Sequence, residues 1–167
     1  MEIIRLNIND SLKFSQFLEK VSSETPYLTF DREEAPDLEA SEAMLKILNL
    51  GKNACFAAVE DGEIIGNITF RGRENRKRLA HVGEIGIVVA KDHWGRGIGK
   101  QLIERVILHS RKNSIEKISL KVLDTNRRAV ELYEKLGFVK EGLLIDEVKI
   151  EGKYYNYVLM GFFLSNQ

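Results

Sequence analysis

One glycine-rich stretch carries the strongest signal in this chain: His93-Trp94-Gly95-Arg96-Gly97-Ile98-Gly99-Lys100. It follows an apolar run at residues 82–90 and leads into residues 97–112, where apolar side chains recur at helical spacing. Glycine lets the backbone approach a ligand closely and adopt dihedral angles that other residues avoid. A helix that begins at such a loop directs unpaired N–H groups and the positive end of its dipole at one point. The stretch therefore predicts an anion site, and phosphate is the usual occupant of such a site.

Helix and strand patterns alternate along the rest of the chain. Strands are predicted at residues 3–6, 54–59, 64–70, 82–90, 118–123, 138–144 and 154–163. Helices are predicted from a cap at Asp10 or Ser11 to about Val21, at residues 38–50, at residues 97–112, and from a cap at Thr125 or Asn126 to just before Gly137. The β-α-α-β-β-β-α-β-α-β-β order predicts an α/β (α+β) fold, a mixed sheet with helices packed on it, in one domain over residues 1–167.

The composition restricts the classes of function that the chain can have. Lys and Arg together number 25, as do Asp and Glu, so no global charge favours binding to nucleic acid. The basic residues 71–78 lack interleaved aromatics and are interpreted as a charged hairpin. The single cysteine, Cys55, excludes an intrachain disulfide and lies in an apolar run that predicts a buried, inert thiol. His93 and His109 lack metal-ligand spacing and are predicted to lie at the surface, so no metal site is expected.

The N-terminal sequence has neither the basic start nor the long apolar segment of a signal peptide. No apolar run in the sequence approaches the length of a membrane span. These patterns predict a cytoplasmic protein that does not bind membranes.

Two well-known phosphate loops do not match the glycine-rich stretch. The pattern G-x-x-x-x-G-K-[ST] requires glycine where Trp94 stands and a hydroxyl residue where Gln101 stands. The dinucleotide pattern G-x-G-x-x-G requires its third glycine at the position of Lys100, and it normally follows the first strand rather than the fourth. Neither kind of nucleotide site is therefore predicted.

A different pair of motifs fits the chain. Residues 94–99 fit [RQ]-x-x-G-x-[GA], with Trp94 in place of the usual Arg or Gln, and residues 126–138 fit N-x-x-A-x-x-[LF]-Y-x-x-x-G-F. The two motifs, in this order and separated by a helix and a strand, resemble the acetyl-CoA site of the GNAT N-acetyltransferase superfamily. The resemblance extends from about residue 54 onward. It implies a GNAT-like, mostly antiparallel sheet of six to seven strands flanked by about four helices.

The resemblance also implies a donor site for acetyl-CoA as a co-substrate, without a metal. In the family, the strand before the loop separates from its neighbour and pairs with the pantetheine arm, while the loop amides hold the pyrophosphate. Arg96 and Lys100 are then expected to add positive charge. The residues implied in donor binding are Ile87, Val88, Val89, Gly95, Arg96, Gly97, Ile98, Gly99, Lys100, Asn126 and Tyr133.

The catalytic residues that the resemblance implies are Tyr133 and Glu84. Tyr133 corresponds to the family's general acid, which protonates the leaving sulfur, although a core tyrosine fits the same pattern. The N–H of Val89 is expected to stabilise the thioester oxygen. Glu84 is a candidate general base, since apolar neighbours on its strand would raise its pKa. Two alternatives stay open: Glu84 pairs with an arginine of residues 71–78, and His81 or a water chain removes the proton.

The acceptor site is expected to be built from two further segments. Residues 22–37 carry five acidic residues against one arginine, which would attract a cationic amine; an ordinary solvated loop is the alternative. The aromatic residues at 154–157 would form a wall of the pocket. Both segments resemble a bacterial branch of the superfamily that is related to ribosomal-protein acetyltransferases. The acceptor-binding residues expected on this basis are Glu24, Tyr27 and Tyr155.

Three functions are compatible with these residues. The first is an N-acetyltransferase that moves an acetyl group from acetyl-CoA to a primary amine of a small molecule, by direct transfer in a ternary complex. The second is the same chemistry on a protein N-terminus or lysine. The third is a non-catalytic acetyl-CoA-binding sensor, against which Tyr133 and Glu84 argue. Lys121 stands where some family members carry a catalytic glutamate, so that form of the base is absent. Family members often form dimers, and a homodimer is one expected assembly.

Overall fold

The structure is a computed structural model that describes residues 1–28 and 30–164. Within these residues, four α-helices and seven strands follow one another in the predicted order. The helices are α1 (Ser11–Ser22), α2 (Leu38–Leu48), α3 (Ile98–Lys112) and α4 (Arg127–Lys135). The strands are β1 (Glu2–Arg5), β2 (Ala54–Glu60), β3 (Glu63–Gly72), β4 (Val82–Val89), β5 (Lys117–Leu123), β6 (Val139–Ile150) and β7 (Lys153–Phe163). None of the helices in this part of the chain is long and apolar enough to cross a membrane.

All seven strands form one sheet, in the order β1-β2-β3-β4-β5-β7-β6. Every neighbouring pair is antiparallel except β4 and β5, which run parallel. A parallel pair requires a crossover connection, and α3 supplies it between these two strands. The arrangement confirms the predicted α/β fold with a mixed, mostly antiparallel sheet.

Two element boundaries differ from the prediction. α2 ends at Leu48, earlier than expected, because the side chain of Asn49 caps it: its Nδ2 donates to the carbonyl oxygens of Leu45 (2.8 Å) and Leu6 (3.0 Å). β6 runs on to Ile150, well beyond its predicted end, because it pairs with β7 along its length and absorbs two register shifts. An edge strand that is mostly exposed lacks the apolar alternation on which the prediction depended.

The helices cover the two faces of the sheet unequally. α3 and α4 pack on one face, over a core that includes Ile85, Ile118 and Met160. α1 and α2 pack on the other face, over a core that includes Phe14 and Leu45. Among the described residues, no residue of β5, β6 or β7 takes part in this second core. One face of the carboxyl-terminal half of the sheet is therefore left without a helix over it.

The positions of Cys55 and His109 can be compared with the sequence-based predictions of a buried thiol and a surface histidine. Cys55 is fully buried, as predicted, and burial raises the pKa of its thiol to about 12, which disfavours the reactive thiolate. The predicted surface position of His109 is wrong. Its ring meets Phe56 and Phe70 edge-on in the α3 core, and its Nε2 lies 2.7 Å from the carbonyl oxygen of Lys52. An imidazole can pack on aromatic rings while one nitrogen keeps a polar partner, and apolar spacing does not reveal this.

Candidate active site

β4 and β5 separate soon after they meet. Their parallel pairing covers three positions and ends where Glu84 lies beside Ser119. The strands then diverge over residues 85–89 of β4 and 120–123 of β5. A wedge-shaped opening, the β4–β5 gap, therefore forms between their carboxyl-terminal halves, as the family resemblance implied.

Backbone groups of β4 line the β4–β5 gap. Along a strand, the N–H and C=O groups of successive residues point to opposite sides. The N–H of Ala90 donates to Ile65 on β3 (3.0 Å), and the C=O of Val82 accepts from the residue that follows β3 (3.3 Å). The even-numbered residues of β4 thus bond to β3. The backbone groups of Ile87 and Val89 therefore face the gap.

The same alternation corrects the prediction for Val88. Its N–H and C=O face β3, opposite Asn67, so they cannot pair with a ligand in the β4–β5 gap. Its side chain packs instead against the core beneath α1 and α2. Of the three strand residues predicted to bind the donor, Ile87 and Val89 keep backbone groups available for it.

Trp94, which stands where Arg or Gln is usual, joins the loop to the end of β4. Its indole Nε1 donates to the C=O of Val89 (2.7 Å). On α4, the guanidinium of Arg128 lies 5.1 Å from the centre of the indole ring, within range of a cation–π interaction. Trp94 therefore occupies the carbonyl of Val89 but leaves the Val89 N–H facing the gap.

The loop at residues 95–100 forms a cradle of unpaired N–H groups at the start of α3. Gly95 and Gly97 have φ angles of +86° and +77°, which glycine adopts without strain. None of the six N–H groups from Gly95 to Lys100 donates to an acceptor in the described part of the chain; the first bonded amide is that of Gln101, to Gly97 (3.2 Å). A Cβ on Gly97 would meet no atom within 4 Å. The cradle is open and fits a polyanion such as a pyrophosphate.

The charged side chains of the cradle are already paired within the protein. Arg96 bonds twice to the carboxylate of Glu60 on β2 (2.6 and 2.9 Å), and this contact lowers the pKa of Glu60. Lys100 lies 3.8 Å from Glu104. His93, predicted at the surface, is largely covered, with its side chain 18% exposed and 3.8 Å from Glu60. The free donors of the cradle are therefore backbone groups, and Arg96 and Lys100 would have to leave these partners to bind an anion.

α4 packs against the start of α3. An added Cβ on Gly99 would lie 3.1 Å from the side chain of Leu132, so the glycine permits this close packing. Asn126 caps α4 by accepting a hydrogen bond from the N–H of Ala129 (3.3 Å). The capping role proposed for Asn126 is thus present, and it places the residue where β5 leads into α4.

Tyr133 lies on α4 and is 6% exposed. Its ring contacts that of Phe138 at 5.7 Å between centroids, within the core beneath α3 and α4. Burial raises the pKa of the Tyr133 hydroxyl, so the phenol stays protonated at neutral pH. Within residues 1–28 and 30–164, this hydroxyl has no hydrogen-bond partner. A protonated phenol without a partner is able to donate to an incoming group.

Glu84 lies at the apex of the β4–β5 gap, at the last position where the two strands pair. Its carboxylate accepts a hydrogen bond from Nη2 of Arg73 (3.2 Å), and both side chains are half-exposed. The pairing with an arginine of residues 71–78, which the sequence left open, is therefore present. His81, the other candidate base, is exposed and precedes the paired part of β4.

The acidic loop at residues 22–37 uses carboxylates to hold its own backbone. Glu24 accepts from the N–H of Lys91, close in sequence to the cradle (2.8 Å). Glu34 and Asp37 accept from N–H groups at the starts of a short helical turn (3.3 Å) and of α2 (2.8 Å). These contacts favour the interpretation of the segment as an ordinary capped loop. Tyr27, predicted to bind the acceptor, is partly exposed on this loop.

The strand register places Tyr155 and Glu84 on the same face of the sheet. Glu84 lies beside Ser119, and Ser119 pairs with Gly161 of β7. Side chains alternate along a strand, so Tyr155 and Tyr157 share the face of Gly161. This surface is the side of β5 and β7 opposite α3 and α4, here called the open face. Glu84 and Tyr155 thus share one face of the sheet, but Tyr155 lies about 20 Å along β7 from Gly161, the position level with Glu84.

The Asn156 side chain makes a contact between strands that the sequence analysis missed. Its Nδ2 donates to Asp124, just after β5 (2.8 Å), and its Oδ1 accepts from the N–H of Asp146 in β6 (2.9 Å). One side chain thus ties the end of β5 to the β6–β7 hairpin. The available signal was a lone polar residue among the aromatic residues at 154–157.

The arrangement offers three chemical elements: N–H donors for an anion, a buried protonated phenol and an ion-paired carboxylate at the apex of the gap. Within the described residues, no group of three or more His, Cys, Asp or Glu side chains could hold a metal ion. The strand N–H groups at Ile87 and Val89 add a surface to which an amide-containing chain could pair as a further strand.

The sequence matches known acetyltransferases. It fits a family model described as "Acetyltransferase (GNAT) family" over residues 16–138, which is more than half of the chain. Over 87 residues it is 38% identical to the spermidine N(1)-acetyltransferase of Vibrio cholerae, a match that covers 49% of this chain and 50% of that protein. The chain spans about half the length of the curated relatives it matches.

Solved structures match over nearly the whole chain. A GNAT-family acetyltransferase from Streptococcus pneumoniae superposes with a TM-score of 0.90 and 30% identity, covering 97% of this chain and 98% of that one. YncA from Salmonella typhimurium, solved with its cofactor acetyl-CoA, is 17% identical, has a TM-score of 0.88 and covers 99% of this chain and 95% of that one. The latter likeness shows the fold alone. Family model, motifs and fold agree, and the chain belongs to the acetyltransferase (GNAT) family.

Proposed function

We propose that this protein transfers an acetyl group from acetyl-CoA to a primary amine of a small molecule, directly, in a ternary complex of the two substrates. The observation that carries the proposal is the row of six unpaired N–H groups, Gly95 to Lys100, beside the β4–β5 gap. A pyrophosphate joined to an amide-containing arm matches both features at once. An isolated phosphate would bind to the cradle alone and would make no contact with the backbone groups that line the gap.

The donor is held mainly by backbone groups in this proposal. Residues 95–100 donate their N–H groups to the pyrophosphate, assisted by the dipole of α3. The backbone groups of Ile87 and the N–H of Val89 bond to the arm, which lies in the β4–β5 gap as an added strand. Asn126, at the opposite side of the gap, faces the arm while it caps α4.

Transfer then requires one bond to form and one to break. The amine nitrogen bonds to the carbonyl carbon of the thioester, and the carbon–sulfur bond breaks with its electron pair leaving on sulfur. The Val89 N–H donates to the carbonyl oxygen, where negative charge develops. Tyr133 donates its phenolic proton to the departing sulfur. The phenol carries this proton at neutral pH because the ordinary pKa of tyrosine is about 10, and burial raises it further.

The amine must lose a proton before it can attack. A free alkylamine has a pKa near ~10.4, so deprotonation at neutral pH costs about 4–5 kcal/mol. Glu84 accepts this proton through water from its position at the apex of the β4–β5 gap. Its hydrogen bond with Arg73 orients the carboxylate. His81 is the less favoured base because it precedes the paired part of β4.

The proposal is tested by thiol release from acetyl-CoA across polyamines, amino acids, aminoglycosides and short peptides. We expect turnover on at least one small-molecule amine. Acetyl-CoA binding without turnover on any acceptor would contradict an enzymatic role and indicate a sensor. Turnover confined to peptides would contradict the small-molecule acceptor and leave the chemistry intact.

The role of Glu84 is tested separately by its pH–rate profile. Glu84→Gln should abolish the acidic limb of kcat/KM, because the amide cannot accept a proton. Glu141→Gln is the matched control, since Glu141 is also ion-paired, to Lys117 at 2.6 Å. An unaltered acidic limb in Glu84→Gln would assign the base elsewhere.

A further inference from the structure

We propose that the acceptor carries a carboxylate close to its reacting amine and that Lys121 binds this carboxylate. This inference rests on the proposed function and names the class of acceptor. It makes Lys121 a residue that determines specificity.

The register places Lys121 on the open face, just past the apex of the β4–β5 gap. Side chains alternate along β5, so Lys121 shares the face of Ser119, which lies beside Glu84. Lys121 is exposed. Across the gap, Gly86 forms a floor without a side chain: an added Cβ would meet only the Thr69 hydroxyl, at 3.4 Å. A small acceptor seated there lies between the candidate base and the lysine.

The charges on this part of the open face leave Lys121 unbalanced. Glu84 is paired with Arg73, and Lys117 is paired with Glu141. Among residues 1–28 and 30–164, no carboxylate lies within ion-pairing distance of Lys121. The acidic residue Glu147 lies in β6, where it acts on Tyr157. On β4 and β5 this face therefore presents one uncompensated positive charge, which favours an anionic group on the acceptor.

Three of the five acidic residues of the loop hold backbone groups. Glu24, Glu34 and Asp37 each accept a backbone N–H. These carboxylates keep their negative charge, so the preference among acceptors is carried by Lys121 instead. Its unpaired ammonium group on the open face attracts a carboxylate and repels a second ammonium group, which favours an amine with an adjacent carboxylate over a polyamine.

The test uses acceptors that differ only in the charge beside the amine. Thiol release from acetyl-CoA is measured with an α-amino acid, its neutral amide and its decarboxylated amine, and with a polyamine. Rates are expressed per concentration of neutral amine, because the amine pKa differs among these compounds. For the wild type we expect kcat/KM for the amino acid to exceed that for its amide about tenfold or more, mainly through KM.

Substitutions at Lys121 then assign the preference to this side chain. Lys121→Met should bring the acid-to-amide ratio of kcat/KM close to one, Lys121→Arg should retain it, and Lys121→Glu should invert it. Lys140→Met is the matched control, since Lys140 pairs with Glu134 of α4, on the other side of the sheet. Thermal unfolding of each variant verifies folding, and Lys121→Arg keeps the test valid if the methionine variant is unstable.

Each result bears on a different statement. If the wild-type enzyme has the same kcat/KM for the amide or the polyamine as for the acid, this inference is overturned and the proposed function stands. An acid preference that survives in Lys121→Met also overturns it. Failure to acetylate any amine overturns the proposed function, and this inference falls with it.

Discussion

The donor side and the acceptor side of this protein are built in different ways. The proposed donor side consists of backbone groups: unpaired N–H groups of residues 95–100 and the gap-facing groups of Ile87 and Val89. The proposed acceptor side depends on side chains that come from separate strands, chiefly Glu84 and Lys121. A backbone site needs only glycines at fixed spacing, whereas a side-chain site depends on which charges remain unpaired after folding. A short motif is therefore enough to predict the donor, whereas no short motif predicts the acceptor.

The largest effect is expected from substitution of Tyr133, the proposed proton donor to the sulfur of acetyl-CoA. Tyr133→Phe should lower kcat about 100-fold or more, because it removes the proton donor to sulfur. The affinity for acetyl-CoA should hardly change, since backbone groups bind it in the proposed function. Steady-state kinetics and equilibrium binding measure the two quantities.

Tyr154→Phe is the matched control for this prediction, because Tyr154 is exposed on β7. Burial raises the Tyr133 pKa, so the wild-type kcat should not fall through ionisation of the acid up to about pH 10, the ordinary value for tyrosine. Equal kcat values for the wild type and Tyr133→Phe would show that Tyr133 has only a structural role.

The backbone character of the donor site is tested at Gly97. Gly97→Ala should weaken acetyl-CoA binding about tenfold, since a φ of +77° costs an L-residue roughly 1–2 kcal/mol and the loop would relax away from the cradle geometry. Gly152→Ala is the matched control: φ there is +80°, and an added Cβ likewise meets no atom within 4 Å. Both variants should lose similar stability in thermal unfolding, but calorimetry should show weaker binding for Gly97→Ala alone. Equal affinities in the two variants would mean that the cradle does not hold the donor.

A smaller effect is expected from the charged side chains of the cradle. Arg96→Gln should change the dissociation constant of acetyl-CoA by less than about threefold, because the guanidinium is exposed and already bound to Glu60. Glu60→Gln provides the complementary variant, since it frees Arg96. A loss of affinity in Arg96→Gln that matches the loss in Gly97→Ala would show that side-chain charge, rather than backbone, dominates donor binding.

The smallest expected effect concerns stability away from both sites. Burial lowers the pKa of His109, so below the ordinary value of about 6.5 the unfolded state binds a proton more readily than the folded state. The free energy of unfolding should therefore decrease as the pH falls below about 6.5, and His109 should contribute no pH dependence above it. His109→Gln should remove this part of the pH dependence in urea titrations, whereas the same change at the exposed His81 should retain it. An identical pH dependence in wild type and His109→Gln would contradict the assignment.

Local patterns were sufficient for most of the fold. The order of strands and helices along the chain and the hairpins follow from periodicity and turn residues, each encoded within a few neighbouring positions. The order of the strands within the sheet was not predicted. The end of α2 was misplaced because its cap depends on Asn49 reaching Leu6, a residue distant in the sequence. The length of β6 was missed because an edge strand has no buried face to impose alternation.

The candidate site divides in the same way. The glycine motif is recognisable by its spacing, and the role of Tyr133 was implied by the family resemblance of residues 126–138. The exclusion of the Val88 backbone required the hydrogen-bond alternation of β4. The pairing of Glu84 with Arg73 could be named only as an alternative, since contacts across strands depend on register.

The amino-acid sequence by itself determined the class of fold and the place of the anion cradle, because periodicity and glycine spacing are local properties of the chain, and its two motifs carried the resemblance to the family. The tertiary structure alone decided which groups are free to act. It showed that Glu24 and Arg96 have partners, that Lys121 has none among the described residues, and that β4 leaves β5 after Glu84. The physical reason is that a hydrogen bond or ion pair depends on distance in space, and folding brings together residues that are far apart along the chain.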